Sequence, residues 1–139
     1  MNKLDFEIIW IDEAQPDFIE ITINAANQRL NAHFSCYVSL GELKKQWQKD
    51  LITQVLSGKK QTWDMQGSNT ESVAVLIKQA GNTGAIALIY KIIFEKDNNN
   101  DSLEECRLRL IFDPAQLDSF CEQIQRFKGE IGETASIKK

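Results

Sequence analysis

The run from Arg29 to Val38 limits the fold more than any other stretch, because apolar and polar residues alternate along it with a period of two. Leu30, Ala32, Phe34, Cys36 and Val38 fall on one side, and Arg29, Asn31, His33, Ser35 and Tyr37 on the other. Successive side chains of a strand point to opposite faces, so this segment is a strand with one dry and one wet face. The polar link Ala26-Asn27-Gln28 joins it to Phe18–Ala25, where Ile19, Ile21 and Ile23 alternate with Glu20, Thr22 and Asn24. A hairpin is the expected arrangement. An earlier run, Leu4 to Ile11, is rich in Ile and aromatic residues and stops at the polar, proline-bearing loop Asp12–Asp17. Three antiparallel strands are therefore predicted before any helix.

Ser39-Leu40-Gly41-Glu42 has the form of a capping box and predicts a helix start. Leu40, Leu43, Trp47, Leu51 and Val55 step by three and four along one buried stripe, Lys44, Lys45, Gln48 and Lys49 form the wet face, and Ser57-Gly58 closes the helix. A short strand is expected near Gln61–Met65, then strands at Ser72–Lys78 and Gly84–Glu95 joined by the turn Ala80–Gly84. The second of these is apolar on both phases, which predicts a central place covered on both faces. Lys96–Ser102 reads as an exposed loop, Glu105–Phe112 as a strand, and Asp113-Pro114-Ala115-Gln116 as a second capping box with proline at the first helical position. Leu117, Phe120, Cys121, Ile124 and Phe127 give that helix its buried face, and Gly129 ends it. The whole predicts one α+β domain over residues 1–139. Its core is a mostly antiparallel twisted sheet of six to seven strands with two helices packed on one face, and residues 130–139 are expected as a flexible tail. The opposite face would be partly open.

The 139 residues suffice for one core that buries roughly two-thirds of the unfolded chain's surface. Twenty acids against sixteen Lys and Arg give a net charge of −4, which argues against a nucleic-acid binder that works by neutralising phosphates. Six acids and two bases lie between Met1 and Tyr37, so a charged partner is expected to be basic. The three widely spaced cysteines, Cys36, Cys106 and Cys121, fall on apolar phases and read as buried thiols of a reducing compartment. Acids interrupt the first residues where a signal peptide needs an apolar run, and no window approaches a membrane span, so a cytoplasmic location is expected, with no membrane partner.

Chemistry-bearing patterns are sparse. His33 is the sole histidine and lies on the wet phase of a strand, where Ser35 or Tyr37 would point parallel to it instead of forming a nucleophile and base pair. The cysteines and His33 lack zinc-ligand spacing. Asp97–Asp101 begins like a calcium loop, but Ser102 stands where the glycine belongs and Leu108 where the bidentate acid belongs. The glycines at 81 and 84 sit in a hairpin turn, not between a strand and a helix, so they do not form a phosphate loop. No catalytic, cofactor or metal residues are predicted. Arg107, Arg109 and Phe112, or Arg29, His33 and Tyr37, raise single-strand nucleic-acid binding, against which the net acidity weighs. Trp47 belongs to a helical stripe and reads as core, whereas Trp10 and Trp63 flank turns, as core rim or as anchors for a partner.

The segment His33–Leu43, the run Val73–Lys78 leading through Gly84 to Tyr90, and Arg107–Asp113 with Leu117 and Phe120 together resemble the small immunity proteins of bacterial toxin systems, especially the WapI-type group. The resemblance is one of layout, strand to capped helix, and covers most of the chain. It implies a cytoplasmic, non-catalytic protein that binds and neutralises a cognate toxin domain, such as that of a contact-dependent growth inhibition system. Many such toxins are basic nucleases, and complementary charge would steer an acidic inhibitor to them. The expected partner-binding residues are Asp12, Glu13, Asp17 and Glu20, with Tyr37, His33 or Trp10 as the apolar anchor. An adaptor or chaperone-like module, or a small enzyme or ligand-binding domain with a pocket between sheet and helices, are the alternatives.

Overall fold

The computed structural model describes residues 2–68, 72–96, 98–99 and 102–138. The chain is α+β, with eight strands in one antiparallel sheet: β1 (Lys3–Ile11), β2 (Phe18–Ala26), β3 (Asn31–Ser39), β4 (Gln61–Gly67), β5 (Ser72–Gln79), β6 (Ile86–Lys96), β7 (Ser102–Phe112) and β8 (Thr134–Lys138). Helices α1 (Leu40–Gln46) and α2 (Asp50–Leu56) lie between β3 and β4, and α3 (Pro114–Gln125) between β7 and β8. The strand order is β7-β6-β5-β4-β3-β2-β1-β8, a meander with the last strand returned to the edge beside the first.

Ile19, Ile21, Ile23 and Ala25 of β2 and Ala32, Phe34, Cys36 and Val38 of β3 are buried, as their alternation requires. They join one core cluster with Leu43, Trp47, Leu51 and Val55 and with Leu117, Phe120, Cys121 and Ile124 of the helices, so all three helices cover the same face of the sheet. Phe6, Trp47 and Phe120 meet edge to face at 4.9–5.7 Å and tie β1, the end of α1 and α3 together. Trp63 adds its ring to Trp47 at 5.4 Å and is core rim.

The sheet is strongly curled. Five strand spacings would set β2 about 24 Å from β7 in a flat sheet. Here Asn27, at the end of β2, donates from Nδ2 to the Arg109 carbonyl at 3.0 Å, and Asn2 Oδ1 accepts from the Ile111 N–H at 3.2 Å. These amides occupy part of the open edge of β7. Between β3 and β4 the pairs among the described residues are Cys36↔Gly67 and Tyr37↔Gln66, the shortest ladder of the sheet.

Several expectations change. The predicted helix from Ser39 to Ser57 is two seven-residue helices on a common buried stripe. The break at Trp47 frees carbonyls that α3 satisfies: Gln125 Nε2 donates to Lys44 O at 2.7 Å and Trp47 O at 3.0 Å. At the start of α1, Ser39 Oγ accepts from the Glu42 N–H at 3.0 Å, while α3 has the full reciprocal box of Asp113 and Gln116. β6 is not central but second from the edge; Ile86, Leu88, Tyr90 and Ile92 are buried, whereas Ile89, Lys91 and Ile93 on its other face are half-buried. Leu30 is exposed in the β2–β3 turn, where Asn27 Oδ1 accepts from the N–H groups of Arg29 and Leu30.

Residues 130–139, expected as a tail, carry the eighth strand. Glu133 builds the turn before it by accepting from the N–H groups of Lys128, Gly129 and Glu130 at 2.7–3.0 Å. Gln123 of α3 then pairs with Ser136 as a strand would, accepting from its N–H at 2.8 Å and donating to its carbonyl at 3.1 Å. Of the stretch that begins like a calcium loop, Asp97, Asn100 and Asp101 lie outside the described residues.

Candidate functional site

The helix-free face of the sheet carries a group of three aromatic rings, two of them exposed and Tyr37 half-buried. Trp10 of β1, Phe18 of β2 and Tyr37 of β3 converge there, with Phe18 and Tyr37 stacked at 5.7 Å. Trp10 stands nearly perpendicular to both, at 6.4 and 6.0 Å. Trp10 is 41% and Phe18 37% exposed, well beyond what core aromatics show.

A β-bulge places Trp10 on this face. Leu4, Phe6 and Ile8 point into the core, and an unbroken strand would send Trp10 after them. The β1–β2 register shifts between Ile8 and Trp10, so Trp10 lies opposite Glu20 on the outer face and Ile11 opposite Ile19 on the inner one. Beside the bulge, Ile8 exchanges backbone bonds with Gly132 and Glu133 at 2.8 and 3.0 Å, so the turn before β8 braces the strand there.

Glu20 occupies the centre of the group, in register with Trp10 on one side and Tyr37 on the other. Its side chain is half-buried, and its charge adds to burial in pushing the Cys36 thiol up to about 12. The β1–β2 loop brings more acids to the same end of the sheet. Asp12 Oδ1 accepts from the Ala14 and Gln15 N–H groups, which holds the loop in a tight turn. Asp17 precedes Phe18 directly, and its carbonyl accepts from the Leu40 N–H at 2.7 Å, tying the loop to α1. Glu13 is exposed between them. The ion pairs among the described residues are Lys3–Asp5, Lys49–Glu122 and Lys91–Glu105, so none neutralises Asp12, Glu13, Asp17 or Glu20.

Of the residues expected at a partner surface, Trp10, Glu20 and Tyr37 are thus brought together, with Asp12, Glu13 and Asp17 at their rim. His33 shares their face but lies four residues from Tyr37 along β3, about 13 Å away. There its Nδ1 meets Asn24 Oδ1. Phe18 was missing from that set. Its phase gives it away, because it falls on the same face as Glu20 and Thr22 and alternates with Ile19 and Ile21.

Elsewhere, the groups whose protonation the fold shifts are structural. Burial first, then Asp118, pushes the Cys121 thiol up to about 12, and burial together with Cys36 raises the Tyr90 phenol. Thiols held protonated in this way are poor nucleophiles. The recess at the α1–α2 junction, about 200 Å³, is lined by Glu42, Gln46, Gln54 and Trp63, and a shallow shelf of about 520 Å³ over β4–β6 by Asp64, Gln66 and Lys91. Among the described residues no three His, Cys, Asp or Glu side chains cluster as metal ligands would, and no helix is long and apolar enough to cross a membrane.

No family model, curated protein or solved structure matches the chain.

Proposed function

We propose that this chain is a non-catalytic binding protein whose aromatic and acidic outer face engages a basic partner protein. The observation that carries the reading is the Trp10–Phe18–Tyr37 group, with Trp10 and Phe18 exposed on an open sheet face and acids at its rim that have no ion-pair partner among the described residues. Exposed Trp and Tyr side chains are the usual anchors of protein interfaces, and they are costly to leave in water without a use. Charge on the rim accelerates encounter with a partner of opposite sign.

Combined with the layout resemblance to immunity proteins, this favours a cognate toxin domain as the partner, neutralised in the cytoplasm by occupancy and not by chemistry. Co-expression with the protein encoded beside this chain tests the reading. The expected result is a stable complex and restored growth of cells that the neighbouring protein otherwise inhibits. A neighbour that is harmless alone and does not co-purify would refute the toxin assignment.

A further inference from the structure

We infer that the partner inserts an arginine side chain at this face, its guanidinium laid on the exposed indole of Trp10 and held by the Glu20 carboxylate. The inference rests on the proposed partner-binding role of the same face and specifies the chemistry it recognises. Three features lead to it. The indole is 41% exposed yet fixed, standing at 90° to the Phe18 ring and 79° to the Tyr37 ring, so a flat cation meets a surface that is already ordered. Glu20 is in register with both Trp10 and Tyr37, which sets a carboxylate directly beside the ring that best attracts cations. Glu20 is half-buried and has no salt bridge among the described residues, so a partner's cation would supply the missing counter-charge.

Arginine fits this pairing better than lysine. A guanidinium is planar and weakly hydrated, stacks on a ring and still offers in-plane N–H groups as paired donors to a carboxylate. An ammonium is a compact, strongly hydrated point charge that loses more on entering a half-buried site. Asp12, Glu13 and Asp17 at the rim add long-range attraction without distinguishing the two.

The test uses the full chain, labelled with ¹⁵N, and two acetylated and amidated peptides of equal charge, Lys-Gly-Arg-Gly-Lys and Lys-Gly-Lys-Gly-Lys. NMR titration should show shifts at the Trp10 indole N–H and at the Glu20 and Tyr37 amides, with the arginine peptide bound about three- to tenfold more tightly. The preference should vanish in Trp10→Ala and in Glu20→Gln, with the Trp47 indole signal reporting that each variant retains its core. Equal binding of both peptides at this face would overturn the arginine inference while leaving the partner-binding role intact. Shifts confined to other surfaces would overturn it as well. Concentration-dependent shifts at Trp10 and Tyr37 without peptide would overturn it by assigning the face to a second copy of the chain. The broader role fails separately, if Trp10→Ala leaves capture of the neighbouring protein unchanged.

Discussion

Glu133 offers a quantitative handle on how the last strand is held. Its carboxylate receives the N–H groups of Lys128, Gly129 and Glu130, with Lys128 reaching both oxygens. Burial by itself raises its pKa, but the bonds from Glu130, Lys128 and Gly129 and the Lys128 charge outweigh that, and the net shift is downward. A bond to a charged group contributes about 1.5–3 kcal/mol when water is excluded. Glu133 is partly solvated, which reduces each of the three to roughly 0.5–1 kcal/mol. Glu133→Ala should therefore cost about 2 kcal/mol at pH 7, and Glu133→Gln, which keeps an acceptor oxygen, about 1 kcal/mol. Because the folded pKa is depressed, this stabilisation is present above the unfolded value of about 4.3 and lost as pH falls through the folded one. Urea unfolding followed by tryptophan fluorescence should show the Ala variant's midpoint lower by roughly 1 M at pH 7, with the gap narrowing steadily below pH 4. A gap of the same size at pH 3 and pH 7 would refute a charge-based origin.

Gln125→Ala removes both donors to the end of α1 and should cost about 1–2 kcal/mol, with hydrogen exchange accelerated in α1 and α2 more than in β6 and β7. Gly129 and Gly58 form a matched pair at φ 91° and 97°. A methyl at Gly58 meets open space, whereas at Gly129 it would come within 3.2 Å of Leu40 Cδ2. Gly58→Ala should cost about 1 kcal/mol for backbone strain alone, and Gly129→Ala more, as thermal melts of the two variants will reveal.

The residues announced most of the sheet because β2 and β3 alternate cleanly, and α3 because Asp113, Pro114 and Gln116 write its start locally. What stayed hidden depends on partners far away in sequence. Nothing near Trp47 signals the break between α1 and α2, whose freed carbonyls are satisfied by Gln125, 78 residues later for Trp47. The strand after Glu133 is only five residues long and is held by β1 and Gln123, so its own pattern is too short to read. At the site, the acids of the β1–β2 loop were legible from charge, and Tyr37 from its phase on β3. The outward turn of Trp10 was not, because its parity matches the buried Leu4, Phe6 and Ile8 and only the bulge reverses it. Phe18 needed no such device, since its phase already placed it with Glu20.

The central claim is that the Trp10–Phe18–Tyr37 face, with its acids, is where the partner binds. The most direct test is calorimetric affinity of the purified chain for the neighbouring protein at low and high salt, comparing wild type, Trp10→Ala and the triple variant Asp12→Lys, Glu13→Lys, Asp17→Lys. Trp10→Ala should weaken binding by about 30-fold or more at both salt concentrations, while the variant stays folded and loses about 1–3 kcal/mol of stability with its two ring contacts. The triple variant should lose affinity chiefly at low salt and flatten the salt dependence. Wild-type affinity and salt dependence in both variants would contradict the account.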